Sequence, residues 1–107
     1  MIVVRARPTA LGFVDEERSG VGAQWDRAQV VRLARRLGYD LLWPPAESTV
    51  PLVDQVREAD VDAVLIASPQ YLDVLTVDRL MHTCDVEAAV PRTTFVRYFG
   101  TPHGFPA

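Results

Sequence analysis

The chain has 107 residues, a formal net charge of −3, 49% apolar and 23% charged content, and a single cysteine. Such a length and composition give one globular domain around one core and exclude a disordered chain. They also exclude a disulfide framework, a cysteine-based metal site and a chain-wide positive field for nucleic acid or anionic membrane.

Residues 2–6, IVVRA, are a β-branched run that predicts a first buried strand. Pro8 ends it, because proline removes a ladder donor and restricts its predecessor. Residues 9–22 hold Gly12, Gly20, Gly22 and the acidic cluster Asp15, Glu16 and Glu17, and read as a long loop. From 23 to 37 the pattern turns helical. Val30, Leu33, Ala34 and Leu37 recur at offsets of three, four and seven, while Arg27, Arg32, Arg35 and Arg36 mark mostly the solvated face. Gly38 supplies the stop, and arginines near the C-terminal end suit the helix dipole.

Residues 39–44, YDLLWP, predict the second strand. A short helix follows, capped by Ser48 or Thr49, with Pro51 in its first turn, Leu52, Val53 and Val56 on its apolar side, and an end near Asp60. Residues 61–68, VDAVLIAS, are the strongest strand; an apolar core with no alternation marks a central parallel strand covered on both faces. A third helix over 73–83 places Val74, Val77, Leu80 and Met81 or Cys84 inward. A weaker strand over 86–90 and a final strand within 93–99 complete a single domain of residues 1–100, with 101–107 as a tail. The alternation predicts a three-layer α/β sandwich with a mostly parallel sheet of four or five strands. Sites in such sheets lie at the carboxyl ends of the strands. Here those ends are Arg7-Pro8-Thr9, Trp43-Pro44 and Ser68-Pro69-Gln70, which sets the Thr9 hydroxyl beside Arg5 and Arg7.

With its parts in this order, the chain resembles the N-terminal catalytic domain of the serine recombinases, the resolvase/invertase family. Arg5-Ala6-Arg7-Pro8-Thr9 is similar to the family's Y-A-R-V-S-T strand end, with Thr9 in the place of the serine that attacks DNA. Gln29, Leu33 and Leu37-Gly38-Tyr39 are similar to its glutamine-bearing helix with a Gly-Tyr or Gly-Trp step. Val61-Asp62-Ala63-Val64-Leu65-Ile66 is similar to the strand before its catalytic arginines. The resemblance spans about residues 2–90 and implies a resolvase-like fold with DNA recombination as its inherited chemistry. The family's D-R-L-x-R segment is replaced by Pro69-Gln70-Tyr71-Leu72-Asp73, and the arginine before its second helix is absent from Glu47-Ser48-Thr49-Val50-Pro51. One such arginine contributes ~10³ in phosphoryl-transfer rate, so the loss of three removes effective catalysis. The family's long dimerisation helix and DNA-binding module have no counterpart in these residues.

The expected function is therefore a non-catalytic interaction or regulatory module that works through protein contacts, as a homodimer. Trp25, Trp43 and Tyr71 are the candidate partner-binding aromatics, and Arg5, Arg7, Thr9, Ser68 and Gln70 the candidate ligand-binding set. Two alternatives stand beside it. One is a residual recombinase-like enzyme with Thr9 as nucleophile and Arg5 and Arg7 holding a phosphate; the other is a small-anion or nucleotide sensor at the same strand ends. No cofactor or metal is expected, since no Cys/His cluster has zinc spacing. His82, with Asp78 and Asp85 nearby in sequence, reads as a half-exposed helix residue. Gly20-Val21-Gly22-Ala23 lacks a phosphate-loop pattern. DNA binding by the domain alone is not expected, and the absence of a leader or long apolar run predicts a cytoplasmic protein. The eleven basic residues are all arginine, the mark of a GC-rich, bacterial coding sequence.

Overall fold

The computed structural model describes residues 7–15, 17, 20–45 and 48–99. In chain order they form β1 (Thr9–Phe13), α1 (Ala23–Leu37), β2 (Asp40–Leu42), α2 (Leu52–Ala59), β3 (Ala63–Ile66), α3 (Val74–Met81), β4 (Asp85–Ala88) and β5 (Thr93–Phe95). The strands make one sheet in the order β2-β1-β3-β4-β5. The first four run parallel, and β5 returns antiparallel along β4. The chain is thus an α/β sandwich, with α1 on one face and α2 and α3 on the other.

Each face is built by the side-chain alternation of a strand. Ala10, Ala63 and Leu65 pack against Val30, Leu33 and Ala34 of α1. Leu11, Val64, Ile66, Val86 and Ala88 pack against Val56 of α2 and Leu80 and Cys84 of the α3 region. All four residues of β3 are buried, as expected of the central strand. Full burial of side chains such as Leu65 and Ile66 contributes about 1.5–3 kcal/mol each. α1 ends as its sequence dictates: Gly38 adopts φ 83°, and its amide donates to the Ala34 carbonyl at 2.9 Å.

Three expectations change. The 2–6 run lies outside the described residues, and β1 falls instead within the stretch read as loop. Alanine and glycine are poor strand formers, which hides TALGF from a propensity reading. α2 has Pro51 at its N-cap and no side-chain cap. Ser48 instead accepts the Val50 amide at 3.2 Å and turns the connection. Finally, Val74 is 82% exposed rather than inward, although Val77 and Leu80 are buried as their spacing predicts. Val74 sits in the first turn of α3 and lines an outer groove instead of the core.

Candidate functional site

Thr9 opens β1 rather than closing a strand, so it stands at the amino edge of the sheet. Its amide donates to Asp62 Oδ2 at 2.9 Å, and its carbonyl accepts the Asp62 amide at 2.8 Å. Arg7 also lies at this edge, with Nε 3.5 Å from Asp40 Oδ1. Asp85, at the start of β4, accepts the Arg97 amide at 2.7 Å. The edge is therefore rich in carboxylates. The half-buried Tyr39 feels them: desolvation first, then the charges of Glu87, Asp85 and Asp62, push its hydroxyl pKa upward. At this edge Thr9 thus has the Asp62 carboxylate against its amide, and the Arg7 guanidinium lies beside Asp40.

Ser68 and Gln70 lie past the carboxyl end of β3, with Gln70 in the short 3₁₀ turn Pro69–Tyr71. Thr9 is level with Asp62, and Ser68 lies six residue steps further along, about 20 Å if extended. The five candidate ligand residues are thus not one site: Arg7 and Thr9 are at one edge, Ser68 and Gln70 at the other, and Arg5 is outside the described residues. The strand register decides this, because a shift of β1 toward the C-terminus moves Thr9 from strand exit to strand entry.

The three candidate aromatics do share an edge. Trp43 follows β2, Tyr71 follows β3, and Trp25 lies in the first turn of α1, which enters from the carboxyl end of β1. Trp43 is the best fixed. Its ring lies against Gly12, where an added Cβ would come within 2.6 Å of Cζ3, so only glycine admits this approach. The Arg27 guanidinium covers the same ring at 4.3 Å from the centroid. Cavities of about 470 Å³ and 290 Å³ open beside Trp43, and both are also lined by Pro44, Pro45, Ser48 and Gln55.

Gln55, on α2, was not singled out by the sequence reading. Its Nε2 donates to the Val50 carbonyl at 2.6 Å and lies 3.5 Å from Ser48 Oγ. A carbonyl only accepts, so this contact fixes which end of the carboxamide is nitrogen. Oε1 is then turned away, buried and without a partner among the described residues. An acceptor left in this state costs about 1–3 kcal/mol. No pattern in the linear sequence marks it, since the orphaned atom arises from the fold of the 43–51 connection.

A second surface lies on α3 and the segment after β5. Val74 and Tyr98 line a groove of about 390 Å³ with Leu72, Met81 and Phe95. Leu75 is 69% and Phe99 73% exposed beside it. The Tyr98 amide donates to the Met81 carbonyl at 2.9 Å, and its hydroxyl donates to Asp78 Oδ1 at 2.6 Å. His82 is drawn into the same cluster, with Nε2 3.8 Å from Asp78 Oδ2 and its ring 4.9 Å from that of Tyr98. Asp85 is occupied with Arg97 instead. No group of three or more metal-binding side chains converges among the described residues. No helix among them is long and apolar enough to cross a membrane.

No family model, curated protein or solved structure matches the chain.

Proposed function

We propose that this domain is a non-catalytic, resolvase-like interaction or regulatory module that acts through protein contacts and pairs with a second copy of itself. The observation that carries the reading is the apolar surface of α3 and residues 96–99, where Val74, Leu75 and Phe99 are each more than two-thirds exposed around an apolar groove. Contiguous exposed apolar surface of this kind is characteristic of an interface. The occupant follows from charge. The chain is acidic overall, yet α3 and its flanks carry Asp73, Asp78 and Asp85 with Arg79 and Arg97, so this face holds both signs of charge. A two-fold axis presents the same patch on both copies. The apolar centres then meet, and the mixed charges around them offer opposite partners instead of net repulsion.

The resemblance to serine recombinases supplies the resolvase-like part of the proposal. Catalysis is left out because Thr9 stands among carboxylates and Arg7 is already 3.5 Å from one of them. The test is light scattering coupled to size exclusion across a concentration series. Wild type is expected to run as a dimer that dissociates on dilution, and the double variant Val74→Glu, Leu75→Glu to remain monomeric with an unchanged circular dichroism spectrum. A wild-type monomer at the highest attainable concentration, or a double variant that still dimerises, refutes the pairing.

A further inference from the structure

α1 packs on β1 and β3, and a cavity of about 240 Å³ lies between its flank and the exit of β4. Gln29, Arg32, Leu33 and Arg36, at helical offsets of three, four and seven, form one wall, and Ala89 and Val90 the other. No carboxylate among the described residues lines it, and neither arginine makes an ion pair with them. Elsewhere in this acidic chain Arg7, Arg57 and Arg92 each stand beside a carboxylate. Glu87, level with Leu65 and so turned to the α1 face, is already taken by Arg92 Nη2 at 2.8 Å and the Thr94 hydroxyl at 2.6 Å. Along the helix the pair is uncompensated too, since like charges four residues apart repel. The other positions a turn from Arg32 hold Ala28, Gln29 and Arg35, and Asp40, four residues beyond Arg36, lies in β2 beside Arg7. The helix dipole accounts for cations in the last turn, Arg35 and Arg36, but not for Arg32 a turn earlier.

We propose that this cavity binds a phosphate-group dianion, free or as the monoester of a small molecule, with Arg32 and Arg36 bracketing its oxygens and the Gln29 carboxamide donating to it. Side chains one helical turn apart have Cβ atoms about 5–6 Å from each other, so both guanidiniums reach a single tetrahedral anion. Two cations favour a doubly charged anion over a singly charged one. The volume is below that of sites for drug-sized ligands, which limits the ligand to the phosphate group and a small substituent. Leu33, Ala89 and Val90 give that substituent an apolar surface. The site shares no residue with the Thr9 edge, and it lies on the face of the sheet opposite α3, so ligand binding and self-pairing are separable.

The full chain is titrated at pH 8 and constant ionic strength with inorganic phosphate, phenyl phosphate and methyl phenyl phosphate, a diester with a single charge. Binding is followed by ¹⁵N-resolved shifts of the arginine Nε groups, the Gln29 carboxamide and the Ala89 and Val90 amides. The dianions are expected to bind about tenfold more tightly than the diester. Arg32→Gln and Arg36→Gln are each expected to weaken dianion binding about tenfold. Arg35→Gln removes the same charge from the same helix outside the cavity, and is expected to change binding by less than about twofold. All three arginines are exposed, so none of these substitutions disturbs the core. Phenyl phosphate binding more tightly than inorganic phosphate makes the source a monoester, and equal binding makes it the free ion; either supports the site. A diester that binds as tightly as the dianions, a loss in Arg35→Gln equal to that in the other two variants, shifts that map away from the cavity, or no saturation with either dianion overturns the proposal.

Discussion

Gly12 shows how a single missing side chain positions a functional element. The Trp43 ring occupies the space where a Cβ would sit, within 2.6–2.9 Å of three ring carbons. A ring packed on Gly12 and covered by the Arg27 guanidinium cannot swing aside without losing that stack. Gly12→Ala is therefore expected to destabilise by about 1–3 kcal/mol, as overpacking does, and Trp43→Leu in the same chain to recover part of it. Chemical denaturation of the three variants checks this. Cys84 supplies a second expectation at this scale. It is 1% exposed, and burial pushes its thiol pKa up to about 12. A disulfide reagent at pH 8 should leave native protein unmodified and label it fully in denaturant. The folded value lies above the unfolded one, so the neutral thiol's contribution is complete below the unfolded value of 9.0 and declines as pH rises from there toward about 12. A denaturation midpoint that falls from pH 8 to 11 no more in wild type than in Cys84→Ala contradicts the shift.

At the scale of the element, α3 depends on its first residue pair. Asp73 Oδ1 accepts the Thr76 amide at 2.7 Å, an N-cap that satisfies a donor the helix itself cannot pair. The same bond holds the Asp73 carboxyl below its ordinary range. Asp73→Ala should lower the melting temperature by a few degrees at neutral pH. Because the folded value is depressed, the advantage of wild type is complete above the unfolded value of 3.8 and disappears as pH falls through the folded one. The two proteins should converge in acid, and a constant difference from pH 7 to pH 2 counts against the cap. Elements with strong period were legible in the sequence. α1 runs from Ala23 to Leu37, as its 3.6-residue apolar face dictates, and β3 lies within the run of β-branched and leucine residues. β1 was not legible, because TALGF turns Ala10 and Gly12, two small residues, toward α1 and Trp43. Its signal is an alternation of size, A-L-G-F, not of polarity. The inward reading of Val74 failed for a related reason: helical spacing gives a face, but not how far along the helix that face has a floor to cover it.

For the molecule as a whole, displacement of the first strand has a disproportionate effect. A parallel sheet has two chemically distinct edges, and a residue's place at one or the other depends on where its strand begins. The sequence places Trp25, Trp43 and Tyr71 on the carboxyl side, where the structure has them, since the strands and helix that carry them were read correctly. It places Thr9 there too, and the structure puts it at the opposite edge, tied to Asp62. Neither the orphaned acceptor on Gln55 nor the apolar surface of α3 has a linear signature, because both arise from what other segments fail to cover. The strands that bound the sheet, β2 and β5, are three residues each, and β5 follows Pro91. Such short borders offer few free amides and carbonyls for another sheet to extend. Fibrous aggregation by strand addition is thereby resisted at both margins, so the domain can be present at high local density, and its apolar surface exposed, without seeding growth of a continuous β-structure.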